Sequence, residues 1–83
     1  MMNIFTNSTQ CEVDFFHKKI SKNIKKIRLE NNLKQLDVAL EIGINSVAFY
    51  SNCENCKYGK HFNLGHIYKI AKIFNIEPYE LLK

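Results

Sequence analysis

The run Gln35-Leu36-Asp37-Val38-Ala39-Leu40-Glu41-Ile42-Gly43-Ile44 constrains this chain more than any other segment. It reads as a short amphipathic helix stopped by a glycine, with a second helix obliged to start just beyond. Leu36, Val38, Ala39, Leu40 and Ile42 are expected to supply its buried face. Ala39 is small enough for a neighbouring helix to approach closely, and Gly43 can take the positive φ of a tight turn without a Cβ clash. The next stretch, Asn45 to Glu54, opens on two good helix-capping residues and then sets small and polar side chains along a helix. That arrangement suits a surface that reads a partner, not one that performs chemistry.

Composition narrows the class. The 83 residues, 46% of them hydrophobic, can bury one small core, so a single domain of modest stability is expected, with dimerisation as the main further contribution. With 12 Lys and Arg against 8 Asp and Glu, the net charge is +4 and the pI about 9.0, which favours a polyanionic partner. The stretch Met1 to Thr9 has neither the basic nor the apolar region of an export signal, and no segment approaches the ~20 apolar residues of a membrane span. A cytoplasmic protein without membrane contact is expected. Three cysteines, an odd number, fit a reducing compartment better than a disulfide framework.

No repeat, low-complexity tract or internal linker divides the chain. Residues 1–13 are rich in Asn, Ser and Thr and read as a flexible N-terminal arm, with residues 14–83 as one folded domain. Asp14 is the expected N-cap of the first helix, whose Phe16, Ile20, Ile24 and Ile27 form an apolar stripe towards the core. Asn31-Asn32 ends it. The second helix is expected from Lys34 to Ile42, the third from Ser46 to Asn55, and a fourth, capped by Asn63, through Leu64, Ile67, Ile70, Ala71 and Phe74. Pro78 suits the first turn of a short last helix ending at Leu82.

On these residues, Ile20 to Leu82 resembles the Cro/repressor-type (XRE-like) helix-turn-helix family of phage repressors, restriction-modification controller proteins and small bacterial regulators. The likeness is carried by Ile24-Lys25-Lys26-Ile27-Arg28, by Leu33-Lys34-Gln35, and by Leu36, Ala39 and Gly43. It continues in Leu64, Ile67, Lys69-Ile70-Ala71 and the closing Pro78-Tyr79-Glu80-Leu81-Leu82. The resemblance implies an all-α, five-helix DNA-binding domain whose third helix enters the major groove of double-stranded DNA. It also implies a regulator, a repressor in its commonest form, acting as a homodimer on a near-palindromic operator. Within the fold it implies an ion pair between Arg28 and Glu54.

The chain departs from the family pattern in two places. The family keeps an apolar residue, then Ser, two further residues and Glu late in the third helix, and Tyr50-Ser51-Asn52-Cys53-Glu54 fits only with one extra residue near the Gly43–Ser46 turn. Without it, Phe49 and Asn52 would take the buried positions, and a buried amide is costly unless hydrogen-bonded. The register that buries Tyr50 and Cys53 is preferred, with Phe49 open to either side. The second departure is Cys56, where the family favours glycine, followed by a longer loop.

Candidate contacts follow from residue type and place. Ser46 and Asn52 can hydrogen-bond base edges, and Val47 or Ala48 can meet a thymine methyl. Gln35 at the start of the second helix can bond a phosphate and brace the third helix, while Asn55, Lys57 and Lys60 are placed to meet the DNA backbone. Lys18, Lys19, Lys22, Lys25 and Lys26 flank the apolar stripe of the first helix and read mostly as a solvated face. Two other readings stay open. Cys53, Cys56, His61 and His66 are spaced C-x2-C-x4-H-x4-H, similar to a zinc knuckle, although two of them fall inside expected helices. Alternatively, an antitoxin-type regulator would use its N-terminal stretch, with Ile4, Phe5, Val13 and Phe15, to wrap a partner protein. No Gly-rich phosphate loop, paired carboxylates or nucleophile–base pair suggests an enzyme, so no catalytic residue and no cofactor or metal is expected.

Overall fold

The structure, a computed structural model, describes residues 9–83; residues 1–8 of the expected arm lie outside the described residues. Four α-helices follow one another: α1 (Gln10–Glu30), α2 (Gln35–Glu41), α3 (Val47–Asn55) and α4 (Leu64–Ile73). A 3₁₀ turn at Lys57–Gly59 interrupts the α3–α4 connection, and a 3₁₀ segment, Pro78–Leu82, closes the chain. The fold is all-α, but the expected fifth α-helix is a 3₁₀ segment instead. Its five residues leave room for few i→i−4 bonds, and short pieces of this kind wind more tightly.

α1 starts a turn before Asp14. Thr9 Oγ1 accepts the Glu12 N–H at 3.1 Å, and the Glu12 carboxylate accepts the Thr9 N–H at 3.1 Å, so two orphan donors of the first turn satisfy each other's residues. Asp14 lies inside the helix, where it accepts a hydrogen bond from Gln10. Val13 is therefore helical, not part of an arm.

Three helices end by the same device. After α1, α2 and α4 the chain turns left-handed at Asn32 (φ 57°), Gly43 (φ 85°) and Asn75 (φ 57°). In each case the following N–H reaches back across the turn: Leu33 to the Arg28 carbonyl at 3.1 Å, Ile44 to Ala39 at 2.8 Å, and Ile76 to Ala71 at 3.0 Å. The apolar residue that donates then packs on the core, which sets the angle at which the chain leaves each helix.

Ile20 and Ile24 of α1, Val38 and Ala39 of α2 with Ile42 at its C-cap, Tyr50 and Cys53 of α3, Phe62 of the loop before α4, Ile67, Ile70 and Ala71 of α4, and Leu81 belong to one buried cluster. Phe16, Leu36, Leu40 and Leu64, expected on buried faces, are instead exposed. At 100° per residue, Leu36 and Leu40 lie roughly opposite Val38, so a helix packed through Val38, Ala39 and Ile42 must show them to solvent. Leu64 opens the first turn of α4, ahead of the buried row that begins at Ile67. Phe16, one turn before Ile20 on the same face, is still 48% exposed. Asn23 fastens the closing segment to α1 by donating to the Leu81 carbonyl at 3.0 Å.

Candidate nucleic-acid interface

Ser46 caps α3, its Oγ accepting the Phe49 N–H at 3.1 Å. From there the helical period carries Tyr50, Cys53 and Glu54 into the interior, each 3% exposed or less, and leaves Phe49 40% exposed. The register is thus the one with Tyr50 in the core, its ring 5.3 Å from that of Phe62.

Glu54 joins three helices. Arg28 of α1 donates from Nε to Oε2 at 2.9 Å and from Nη2 to Oε1 at 3.0 Å, Gln35 of α2 donates to Oε1 at 3.1 Å, and the Tyr50 hydroxyl donates to Oε2 at 2.8 Å. The remaining fork of Arg28 donates to the Leu33 carbonyl at 2.8 Å. Burial by itself would raise the Glu54 carboxyl, but hydrogen bonds from Arg28, Gln35 and Tyr50 outweigh it and hold the group below the usual carboxylate range. The hydrogen bond to Glu54 raises Arg28 in turn, and burial together with that carboxylate pushes the Tyr50 phenol up. At the far end of α3, buried Ser21 of α1 donates to the Cys53 carbonyl at 2.9 Å.

With its inner face held so firmly, α3 presents the opposite one. Ser46, Val47 and Ala48 are exposed, and Asn52, one turn beyond Ala48, is half-buried with no side-chain hydrogen bond among the described residues. Asn55 is exposed, but its amide nitrogen turns back to the Ser51 carbonyl at 2.9 Å and the Ser51 hydroxyl at 3.3 Å. Gln35, half-buried at the start of α2, has one amide hydrogen engaged with Glu54 and one left over. Beyond α3 the chain doubles back through left-handed Cys56 (φ 52°) and Tyr58 (φ 56°). This brings Lys60 Nζ to 5.8 Å from the centroid of the Phe49 ring, with Lys57 exposed on the same loop.

A family model described as Helix-turn-helix matches residues 24–81. The chain belongs to the helix-turn-helix family. It is of the Cro/repressor, XRE-like type, a type of DNA-binding regulator. No curated protein and no solved structure matches it. The helix-turn-helix unit is α2, the Gly43 turn and α3, and α3 stands in the position from which this family reads DNA. The match begins at residue 24 although α1 begins at Gln10, so the first half of α1 lies outside the family pattern. The left-handed φ of Cys56 explains the family's glycine at that position, since only glycine adopts it without strain. Among the described residues, no helix is long and apolar enough to cross a membrane.

The zinc-knuckle reading fails on geometry. Cys53 is buried in α3, Cys56 holds the left-handed turn after it, His61 lies flat on His17 with ring centroids 3.6 Å apart, and His66 accepts from the Asn63 N–H at the start of α4. Among the described residues, no group of three or more His, Cys, Asp or Glu is placed to hold a metal ion. Burial and then repulsion from His61 lower the pKa of His17, with Asp14 opposing. Residue reasoning missed two supports of the helix-turn-helix. Ser21 was legible as a small polar residue inside the Ile20–Ile24 stripe. Lys60 over Phe49 had no local signal, because a left-handed loop brings the two together.

Proposed function

We propose that this helix-turn-helix chain is a transcriptional repressor that reads a near-palindromic operator as a homodimer. The observation that carries the reading is the division of α3, with Tyr50, Cys53 and Glu54 locked inward while Ala48 and Asn52 face out one turn apart. Asn52 can pair in bidentate fashion with an adenine edge, and the methyl groups of Val47 and Ala48 suit thymine. The Ser46 hydroxyl keeps its hydrogen for a base acceptor, since the helix cap uses only its oxygen. Gln35 offers its second amide hydrogen to a phosphate, and Lys57 and Lys60 offer charge. Asn55 reaches a phosphate only by releasing Ser51, so the lysines carry most of that contact.

The test is selection of bound duplexes from a random pool by the purified full chain. Enrichment of an inverted repeat with half-sites about one helical turn, ~34 Å, apart is the expected result. A pool that enriches nothing overturns the proposal. Exposed Val13, Phe15 and Phe16 on α1, at 38%, 72% and 48%, favour a second reading in which a partner protein sits on this helix. Co-purification of a different chain in fixed ratio supports it, and a pure homodimer on DNA speaks against it.

A further inference from the structure

α3 contains no lysine or arginine; its single charged residue, Glu54, is turned inward and neutralised by Arg28. A helix that enters a groove between two rows of phosphates must therefore draw its positive charge from its flanks. One flank is the loop with Lys57 and Lys60. The other is a cleft of about 250 Å³ between α1 and the end of α3, lined by Lys18, Lys22, Lys25, Glu54, Asn55 and Cys56. The three lysines recur at four- and three-residue spacing along α1, so they project from one side of it. Among the described residues none of them is in a salt bridge. The one carboxylate at the cleft already accepts four hydrogen bonds, from Arg28, Gln35 and Tyr50. Three cations thus line one hollow whose only carboxylate, Glu54, is already paired with Arg28.

We propose that this cleft takes a phosphate of the DNA backbone beside the groove that α3 enters. The inference rests on the reading of α3 given above and extends the contact surface onto Lys18 and Lys22, which lie outside the residues matched by the family. A lysine row beside the C-terminus of α3 also complements the negative end of that helix. That effect concerns folding, whereas a phosphate contact concerns the release of counterions, so the two are separable by measurement.

The test uses the full chain and two duplexes, a selected site and a random sequence, with affinity measured between 50 and 200 mM salt. The double variant K18Q/K22Q should bind both duplexes with a salt dependence flatter by about one unit, at close to 0.9 per phosphate contact. K69Q/K72Q removes the same charge from a separate hollow on α4, lined with Glu41 and Ile73, and should keep the wild-type slope. An unchanged slope in K18Q/K22Q, with or without a lower melting point, overturns the cleft and leaves the helix-turn-helix reading standing. Equal flattening in both double variants reduces the effect to net charge and also overturns it. A wild-type chain that binds neither duplex overturns both proposals.

Discussion

Glu54 is the residue on which the placing of α3 turns. Its carboxylate is fully buried, and removing one partner of such a pair leaves the other charge stranded. Glu54→Ala should cost about 3–5 kcal/mol in urea unfolding; a loss below about 1 kcal/mol would show that the network tolerates an empty place. The pH dependence follows from the same group. Its folded pKa lies below the ordinary 4.5, so as pH falls the unfolded chain takes up the proton first. Stability from this source is complete above about pH 4.5 and drains away below it. The loss is at most ~1.4 kcal/mol per pH unit. Glu54→Gln should be less stable at neutral pH yet flatter in acid. On the outer face, Asn52→Ala should weaken binding to the preferred site by roughly 1–3 kcal/mol and hardly change binding to random DNA. Ser46→Ala is the less selective probe, because losing the cap of α3 costs about 1 kcal/mol of folding and should weaken binding to every sequence.

Between elements, the turn after α2 decides how α3 is offered. Gly43 has φ 85°, and a Cβ there would meet nothing within 4 Å. The penalty for Gly43→Ala is therefore backbone strain alone, about 1–2 kcal/mol, with Gly43→Asn milder because asparagine tolerates the left-handed region. Denaturation midpoints of the two variants check that order, and the reverse order would point to a clash instead of strain. The stack of His17 on His61 ties the loop carrying Lys57 and Lys60 back to α1. Burial and the neighbouring ring hold His17 below its ordinary 6.5, so the folded state favours the neutral ring. What this adds to stability is present above about pH 6.5 and is lost as the pH falls through the lower folded value. Titration of the His17 ring signals by NMR should give a midpoint below 6.5, returning towards it in His61→Ala. A midpoint unmoved by that substitution would deny the coupling.

At the scale of the molecule, one small core supports a helix, α1, that runs well beyond it. The 21 residues of α1 span about 31 Å; its buried residues begin at Ile20, and ahead of them half-buried His17 stacks on His61. The proposed homodimer links stability to association. If two copies pair, the unfolding midpoint should rise with protein concentration, since a partner that binds only the folded chain stabilises it by mass action. A midpoint constant over a hundredfold range of concentration, with a monomer mass by light scattering, would confine pairing to the DNA-bound state.

What was legible in the chain by itself was local. The all-α class, the Asn63 cap, the Gly43 turn and the positions of α2, α3 and α4 are set by residues within about five positions of one another, the reach of capping and turn hydrogen bonds. Thr9 with Glu12 is a signal of the same kind, and its capping box starts α1 a turn ahead of Asp14. Tertiary structure alone decided which apolar residues are buried. Periodicity marks several faces of a short helix such as α2, and only the arrival of α3 and α4 selects Val38, Ala39 and Ile42 over Leu36 and Leu40. It likewise decided the partners of Glu54, the bond from Ser21 to the end of α3, and the meeting of Lys18, Lys22 and Lys25 with Asn55. These groups stand far apart along the chain, and nothing in local spacing states which of them the closure of the core will bring together.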